Sequence, residues 1–237
     1  MRKLIVVTTF FVNFIIVTMA QNPVGKFSIR PMAGINISDF SNDPNKIYSS
    51  LFGVTGGVEL EYGVNHWLGI SSGLLYSQEG AKIDAVLVST FTDGEDDYYS
   101  LTDIKGKVRS HYLNIPLMAN FYIPAVKGLA FKAGVQLGIL VDDKLTADLE
   151  NVIGKDRKGA TIWQYDGYPR FSKSKIAETD IVKSVDFGIP VGISYEYKNI
   201  TLDTRYYFGL TKIDKSDDPE NSRNRFLSIC LGYRFQL

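Results

Sequence analysis

The sequence predicts an all-β protein: an eight-stranded antiparallel up-and-down transmembrane β-barrel that follows a cleaved signal peptide. Three observations support this fold class. The N-terminus is a short apolar segment, the rest of the 237 residues alternates between apolar and polar side chains, and the links between the alternating segments are short and long in turn.

Residues 1–20 have the composition of a secretory signal peptide. Arg2 and Lys3 precede an apolar run, and small residues stand before a predicted cleavage between Ala20 and Gln21. The alternative is a retained membrane anchor, but that needs about 20 apolar residues and this run is shorter. We therefore expect a single outer-membrane β-barrel domain over 21–237.

Beyond residue 25 the dominant period is two. Val185 and Phe187, for example, alternate with Asp186 and Gly188. Each such segment has about 11–15 residues, whereas a strand of a soluble protein usually has about 5–6. The eight predicted strands are 25–38, 51–62, 67–79, 109–123, 129–141, 184–197, 200–211 and 225–237.

The links between these strands differ in length and composition. Three are short turns, whereas four are long and polar and are predicted as loops: 39–50, 80–108, 142–183 and 212–224. Short turns at one end and long loops at the other are typical of small OmpA- and OmpX-type membrane barrels. The acidic run Asp93–Asp97 is interpreted as solvated, with divalent-ion binding as the alternative, because it lacks the spaced ligands of a calcium loop.

The direction in which the apolar face points decides between a membrane barrel and a soluble, lipocalin-like ligand-binding barrel. The polar face is rich in glycine, which suits a cramped lumen better than a solvated surface. The apolar face carries more large side chains than an eight-stranded interior can hold. We therefore expect the apolar face to look outward, into lipid.

Aromatic residues are predicted to form a girdle at the membrane boundary near the short turns. Strict alternation would point one of them, Trp67, into the lumen. The predicted girdle comprises Tyr62, Trp67, Phe121, Tyr195, Tyr197 and Phe235.

Composition excludes several function classes. Lys+Arg and Asp+Glu are balanced at 26 each, so no overall field attracts nucleic acid. The single cysteine, Cys230, excludes an internal disulfide and a multi-thiolate metal site. No catalytic, cofactor-binding or metal-binding motif is found, and we expect no cofactor.

The segment 112–117 (Tyr-Leu-Asn-Ile-Pro-Leu), the following Phe/Tyr strand and the segment 134–138 (Gly-Val-Gln-Leu-Gly) resemble the PorT-like outer-membrane β-barrel family of Bacteroidota. The alternating terminal strand, ending in 232–237 (Gly-Tyr-Arg-Phe-Gln-Leu), resembles the signal that the barrel-assembly machinery reads. The resemblance implies an integral protein of the bacterial outer membrane, in contact with its lipids and lipopolysaccharide. The founding member is tied to protein secretion, but no motif here carries that role over.

Charged residues on the inward face are interpreted as a structural network of ion pairs, because buried charges are costly unless paired. The alternative is a path for protons or ions. The predicted network comprises Lys26, Arg30, Glu59, Glu61, Glu79, Lys132, Asp186, Glu196, Asp203, Arg205 and Arg234.

The two histidines do not indicate an enzyme. His66 lies in a short turn, and His111 follows Ser110, but adjacent residues of a strand point to opposite faces and cannot act as base and nucleophile. A lipid-modifying enzyme remains an alternative, as does a small channel.

The long link 142–183 carries Trp163, Tyr165, Tyr168 and Phe171, which are candidates for binding a protein or glycan; packing on the barrel rim is the alternative. The sequence thus favours a non-enzymatic outer-membrane barrel that acts in envelope structure, surface binding, or support of assembly or secretion through its long extracellular loops.

Overall fold

The structure is a computed structural model, and it describes residues 24–41, 46–93, 96–157, 160–162, 171–178, 182–212 and 222–237. Every regular element in these ranges is a β-strand. The strands are β1 (Phe27–Ser41), β2 (Tyr48–Gly63), β3 (Leu68–Asp93), β4 (Asp96–Tyr122), β5 (Leu129–Arg157), β6 (Ala160–Ile162), β7 (Phe171–Glu178), β8 (Val185–Tyr197), β9 (Ile200–Gly209), β10 (Arg223–Tyr233) and β11 (Phe235–Gln236).

Eight of these strands form a closed antiparallel ring in the order β1, β2, β3, β4, β5, β8, β9 and β10. The ring is sealed by β1 and β10, which pair from Met32 opposite Gly232 to Ser41 opposite Arg223. The short β11 continues this seam by pairing with the start of β1. Closure gives each of these eight strands a neighbour on both sides, which hydrocarbon requires because it offers no hydrogen-bond partners.

The predicted membrane-crossing strands are confirmed, but two of the predicted loops are wrong. Residues 80–108 are not a loop: β3 runs on to Asp93 and β4 begins at Asp96, as one long hairpin. The link 142–183 likewise begins as strand, because β5 continues to Arg157 and pairs with β6 and β7. These segments carry polar residues because they lie beyond the apolar band. There a strand needs backbone pairing with its neighbours but no apolar surface toward lipid.

The turn between β8 and β9 shows how short the links at the other end are. Lys198 and Asn199 are its two residues, with φ angles of 47° and 67°. Two successive positive φ angles define a type I′ hairpin turn, whose twist matches that of the flanking strands. The Asn199 side chain also donates to the Arg234 carbonyl oxygen (3.1 Å), which ties this turn to the end of β10.

The apolar face points outward and the polar face inward, as predicted. Phe52 and Leu231 are each 62% exposed, whereas their strand neighbours Leu51 and Cys230 are buried. This arrangement is the reverse of a soluble barrel, so the lipocalin-like alternative is wrong. Among the residues that the structure describes, no helix is long and apolar enough to cross a membrane.

Glycines on the inward face allow neighbouring backbones to approach closely. A Cβ atom at Gly134 would overlap the carbonyl oxygen of Leu117 and lie 2.8 Å from the Cα of Met118. Gly34 meets the backbone of Ile229 and Cys230 in the same way, at the seam of the ring. The small radius of an eight-stranded barrel therefore explains the glycine-rich face.

Exposed aromatic side chains surround the short-turn end. Phe27 packs on Tyr62 with ring centroids 4.9 Å apart, and Trp67 stacks on Phe121 at 6.3 Å. The inward orientation expected of Trp67 is wrong: it is 50% exposed, because it lies in the turn before β3, where strand alternation does not yet apply. This girdle marks one boundary of the apolar band.

Candidate functional site

The middle of the lumen holds a five-residue ionic cluster centred on Glu59 of β2. Glu59 accepts hydrogen bonds from Arg30 of β1 and Arg205 of β9, and its carboxylate lies 3.4 Å from the Lys132 ammonium of β5. Asp203 of β9 accepts from Lys132 (2.7 Å) and from Arg205 Nε (2.5 Å). All five side chains are nearly inaccessible to solvent. Their charges are therefore compensated by the opposite charges of the cluster and not by water.

A second cluster lies next to it, toward the short turns. Arg234 pairs with Glu61 of β2 at 3.2 Å and with Glu196 of β8 at 2.6 Å. Tyr122 of β4 donates to Glu61 and accepts from Arg234 (2.8 Å). Taken together, the two clusters contain four cations and four carboxylates, so the formal charges sum to zero.

The outer third of the lumen is held by neutral donors instead. Glu79 accepts hydrogen bonds from Ser77 and Asn114, the latter at 3.1 Å. Asp186 accepts hydrogen bonds from neutral side chains of β9, β10 and the segment after β9. These donors are Tyr207 (3.1 Å), Thr211 (2.5 Å) and Asn224 (3.0 Å).

An apolar cluster closes the lumen above these carboxylates. Its buried members come from four separate parts of the chain and pack across the barrel. They are Phe40, Ala81, Val108, Tyr112 and Val182. Stacking of Tyr207 on Phe226, with ring centroids 4.7 Å apart, adds to the filling just below.

These clusters leave little free space across the lumen. Glu59 contacts strands three places away around the ring in both directions, so the ionic cluster bridges the whole section. A cavity of about 20 Å³ between Asp203 and Arg205 of the ionic cluster and the stacked rings of Tyr207 and Phe226 has room for about one water molecule. The interior is thus a packed core.

Most residues of the predicted network lie where the sequence placed them, on the inward face. Lys26 is the exception: it is exposed and precedes β1, because the strand starts two residues later than predicted. Asp186 and Glu79 are inside but belong to the outer, neutral group rather than to the ionic clusters. The sequence did not indicate the inward-facing Tyr112, Tyr207 and Phe226, whose position on the polar face of the alternation was the available signal.

Ser110 and His111 lie on opposite faces. Ser110 is buried in the lumen, whereas His111 is on the outer face, where its Nδ1 is 2.5 Å from the Tyr76 hydroxyl. Cys230 is a buried, unpaired thiol. The described part of the chain contains no group of three or more His, Cys, Asp or Glu residues arranged to hold a metal ion.

Beyond the apolar band the barrel continues as a projecting sheet, formed by the outer parts of β3 (84–93), β4 (96–105) and β5 (148–157) together with β7. β3 pairs with β4 through Asp93 opposite Asp96, and β4 pairs with β5 from Tyr98 opposite Lys155. β7 adds to the other side of β5. The strands that cross the membrane thus become a surface structure without interruption.

Within the described ranges, one edge of the projecting sheet has no pairing strand. β2 pairs with β3 only as far as Tyr48 opposite Ile83, and the Asp84 N–H then donates to the Ile47 carbonyl oxygen (2.8 Å). Above that point no other strand of the described ranges pairs with this side of β3. Because strand residues alternate, Val86, Val88 and Thr90 direct their backbone N–H and C=O groups to the open side, as Asp84 does.

The aromatic side chains predicted as partner anchors all lie outside the described part of the chain. Trp163, Tyr165 and Tyr168 lie outside the described residues, and for Phe171 only the backbone, at the start of β7, is described. The signal peptide and the cleavage position at Ala20 and Gln21 also lie outside them, and so do the side chains of 93–97.

A closed eight-stranded ring with a lipid-facing apolar surface, a boundary girdle and a packed polar lumen defines an integral outer-membrane β-barrel. The chain belongs to the family described as outer membrane protein beta-barrel domain, whose sequence model matches residues 19–215. It is accordingly a protein of the bacterial outer membrane.

Comparison with solved structures finds similar outer-membrane proteins at low identity. The attachment invasion locus protein Ail of Yersinia pestis, in complex with the heparin analogue sucrose octasulfate, is 12% identical with a TM-score of 0.40, covering 89% of this chain and 99% of Ail. Neisserial surface protein A is 16% identical with a TM-score of 0.39, covering 88% of this chain and 97% of that protein. No curated protein sequence matches the chain.

Proposed function

We propose that this protein is a non-enzymatic surface-binding protein, in which the barrel is an inert anchor and the projecting sheet is the binding element. The observation that carries the proposal is the open edge of β3 outside the membrane. The packed lumen supports the anchoring role, since ion pairs and apolar side chains of the described residues fill its section.

The open edge has the chemistry that an extended polypeptide recognises. From Ala85 to Thr92 there is no charged residue. Val86, Leu87 and Val88 are 57%, 54% and 66% exposed, so apolar side chains are available on both faces of the strand. Most proteins protect such an edge with charges, proline or a covering element. An uncharged edge with free backbone groups instead suits the addition of a partner strand, whose main chain supplies hydrogen bonds and whose side chains pack on alternate positions.

Photo-crosslinking on intact cells tests this proposal. A photoreactive side chain at Thr90 is expected to give a crosslinked product with a defined polypeptide, whereas the same group at the lipid-facing Leu117 should give none. Val88→Pro removes an N–H that points to the open side and leaves the pairing with β4 intact. It should therefore abolish the product; an unchanged crosslink in the Val88→Pro protein would refute strand addition.

Planar-bilayer recording tests the anchoring role separately. The purified barrel is expected to give no steady conductance, because ion pairs and apolar side chains fill its section. Reproducible single-channel steps would favour a small channel and overturn the proposal of an inert anchor.

The absence of enzymatic activity belongs to this proposal as well. It is supported by the separation of Ser110 from His111 by the barrel wall. Unchanged lipid composition in cells that carry His111→Ala is the expected result, and an altered lipid profile would contradict it.

Membership of the PorT-like branch, recognition by the barrel-assembly machinery and the structural role of the lumen network are parts of the same proposal. So are cleavage after Ala20 and partner contact through the aromatic residues of 142–183.

N-terminal sequencing of the protein from outer membranes is expected to begin at Gln21; a sequence that begins at Met1 would contradict cleavage.

A further inference from the structure

Four cations lie together on the outer face of β3, β4 and β5, and we define them as the basic patch: Lys82, Lys107, Arg109 and Lys144. Lys82 is directly opposite Lys107 across β3 and β4. Arg109 is directly opposite Lys144 across β4 and β5. Because Lys107 and Arg109 are two residues apart on one strand, the four side chains form one continuous group on one face.

The arrangement is unfavourable for the isolated protein. Residues directly opposite each other in an antiparallel pair have their Cβ atoms about 4.5–5.5 Å apart, and like charges at that distance destabilise the sheet. Two such like-charged pairs stand in adjacent rows here. Folding alone does not explain why four cations should occupy these positions.

Neighbouring carboxylates do not neutralise the basic patch. Asp84 and Asp142 flank it diagonally, but neither forms an ion pair with a patch cation within 4.0 Å in the described part of the chain. The Nε of Arg109 is buried and has no hydrogen-bond acceptor among the described residues. One row further out, by contrast, Lys105 pairs with Asp103 at 3.0 Å, and this hydrogen bond and charge raise the pKa of Lys105.

The position of the basic patch relative to the membrane indicates the ligand. On β4 the outward apolar residues run from Phe121 to Leu113, followed by His111 and then Arg109. About ten residues of a tilted strand cross the hydrocarbon layer, so the patch begins where the apolar band ends. A row of hydrogen-bonded polar side chains separates the apolar band from the basic patch; it consists of Tyr76, Gln78 and His111. The cations therefore stand at the level of the outer-leaflet headgroups.

We propose that the basic patch binds the phosphate groups of an outer-leaflet glycolipid. Phosphate oxygens would accept charge-assisted hydrogen bonds from Arg109 and the three lysines and would remove the repulsion between them. The acyl chains of the same molecule would lie against the apolar face of β3, β4 and β5 directly below. One amphipathic ligand would thus contact both the basic patch, through its phosphates, and the apolar face below it, through its acyl chains.

Native mass spectrometry of the full-length protein in detergent, with bisphosphorylated lipid A as the probe, tests the proposal. The control probe is the same lipid with both phosphates removed. The wild-type protein is expected to bind the phosphorylated lipid about tenfold or more tightly, since even a single good charge-assisted contact is worth that ratio. Equal affinity for the two lipids would overturn the proposal, and this comparison needs no variant.

A matched pair of variants locates the site. The triple variant Lys107→Gln, Arg109→Gln, Lys144→Gln removes three patch charges; the triple variant Lys26→Gln, Lys127→Gln, Lys198→Gln removes three exposed charges at the short-turn end. The first is expected to lose the preference for phosphorylated lipid and the second to keep it. Equal losses in both would show a general effect of net charge and would contradict the proposal.

Inorganic phosphate separates a lipid from a free anion as the ligand. At matched ionic strength, millimolar phosphate and chloride are expected to leave the same amount of lipid A bound, because neither supplies acyl chains. Displacement by phosphate but not by chloride would show a free-phosphate site and overturn the assignment to glycolipid.

Discussion

Among the side chains of the described lumen, Glu59 contacts three cations, as many as Asp203 does. Its carboxylate meets Arg30, Lys132 and Arg205, which come from three different strands. With only 1% of the residue exposed, water cannot replace any of these contacts. Loss of a buried partner leaves the opposite charge uncompensated, which costs far more than the net contribution of the pair.

We therefore expect Glu59→Gln to lower the free energy of unfolding by about 3–5 kcal/mol. The change raises the formal charge of the five-residue cluster from +1 to +2. Adding Lys132→Met returns it to +1, so the double variant should be less destabilised than the single one. Urea unfolding of the refolded barrel, followed by tryptophan fluorescence, measures both; a single variant as stable as wild type would contradict the interpretation.

A second prediction concerns a neighbouring pair of small residues on β5. Gly134→Ala should destabilise the barrel by about 1–3 kcal/mol, because the added methyl group overlaps the backbone of β4 and the strands must move apart. Ala133→Val is the control, since Ala133 faces outward and the extra methyl groups enter lipid. Comparable unfolding curves for the two variants would show that the close approach at Gly134 does not matter.

Single residues also show where sequence reasoning ends. The inward face of each strand follows from alternation, so Arg30, Glu59 and Arg205 could be predicted as interior residues. Their mutual contacts could not, since these depend on which strands face each other across the ring. The sequence does not indicate the basic patch for a related reason. Three of its four residues, Lys82, Lys107 and Lys144, lie in segments predicted as loops, and only the register places Lys82 opposite Lys107.

Of the strands, β3, β4 and β5 depart furthest from the prediction, because each has two parts with different surroundings. The membrane-spanning part needs alternation of apolar and polar residues, and this pattern identified it. The outer part is in water on both faces, where pairing alone maintains the strand and the composition resembles that of a loop. Sequence patterns can therefore predict where β3 and β4 leave the apolar band. They cannot predict where the hairpin formed by these two strands ends.

The outer hairpin should accordingly be removable. Replacing residues 86–103 by Asn-Gly joins Ala85 to Ile104, which are directly opposite each other in a hydrogen-bonded pair and suit a type I′ turn. Because the apolar band and the lumen clusters are untouched, we expect the shortened barrel to fold, with a free energy of unfolding within about 1 kcal/mol of wild type.

Gel mobility and urea unfolding measure this result. A shortened protein that fails to fold would show that the projecting sheet is part of the cooperative unit that forms the barrel.

For the molecule as a unit, stability depends on closure. Every crossing strand has two neighbours, so the described strands leave no open backbone edge within the apolar band. We expect heat-modifiable mobility on detergent gels: the unboiled protein keeps its compact ring and migrates differently from the boiled, unfolded chain. Identical mobility before and after boiling would contradict a closed ring.

The seam between β1 and β10 also sets the order of events during biogenesis. Its two strands are nearly 200 residues apart in sequence, so the ring cannot close until β10 has been synthesised and exported. Until then the sheet has two open edges with unpaired backbone groups. A fragment that stops before Arg223 lacks β10, the strand that pairs with β1. Such contacts form slowly because distant segments must first meet. We therefore expect the unclosed sheet to need protection from association with other chains, and the pairing of β10 with β1 to end that need.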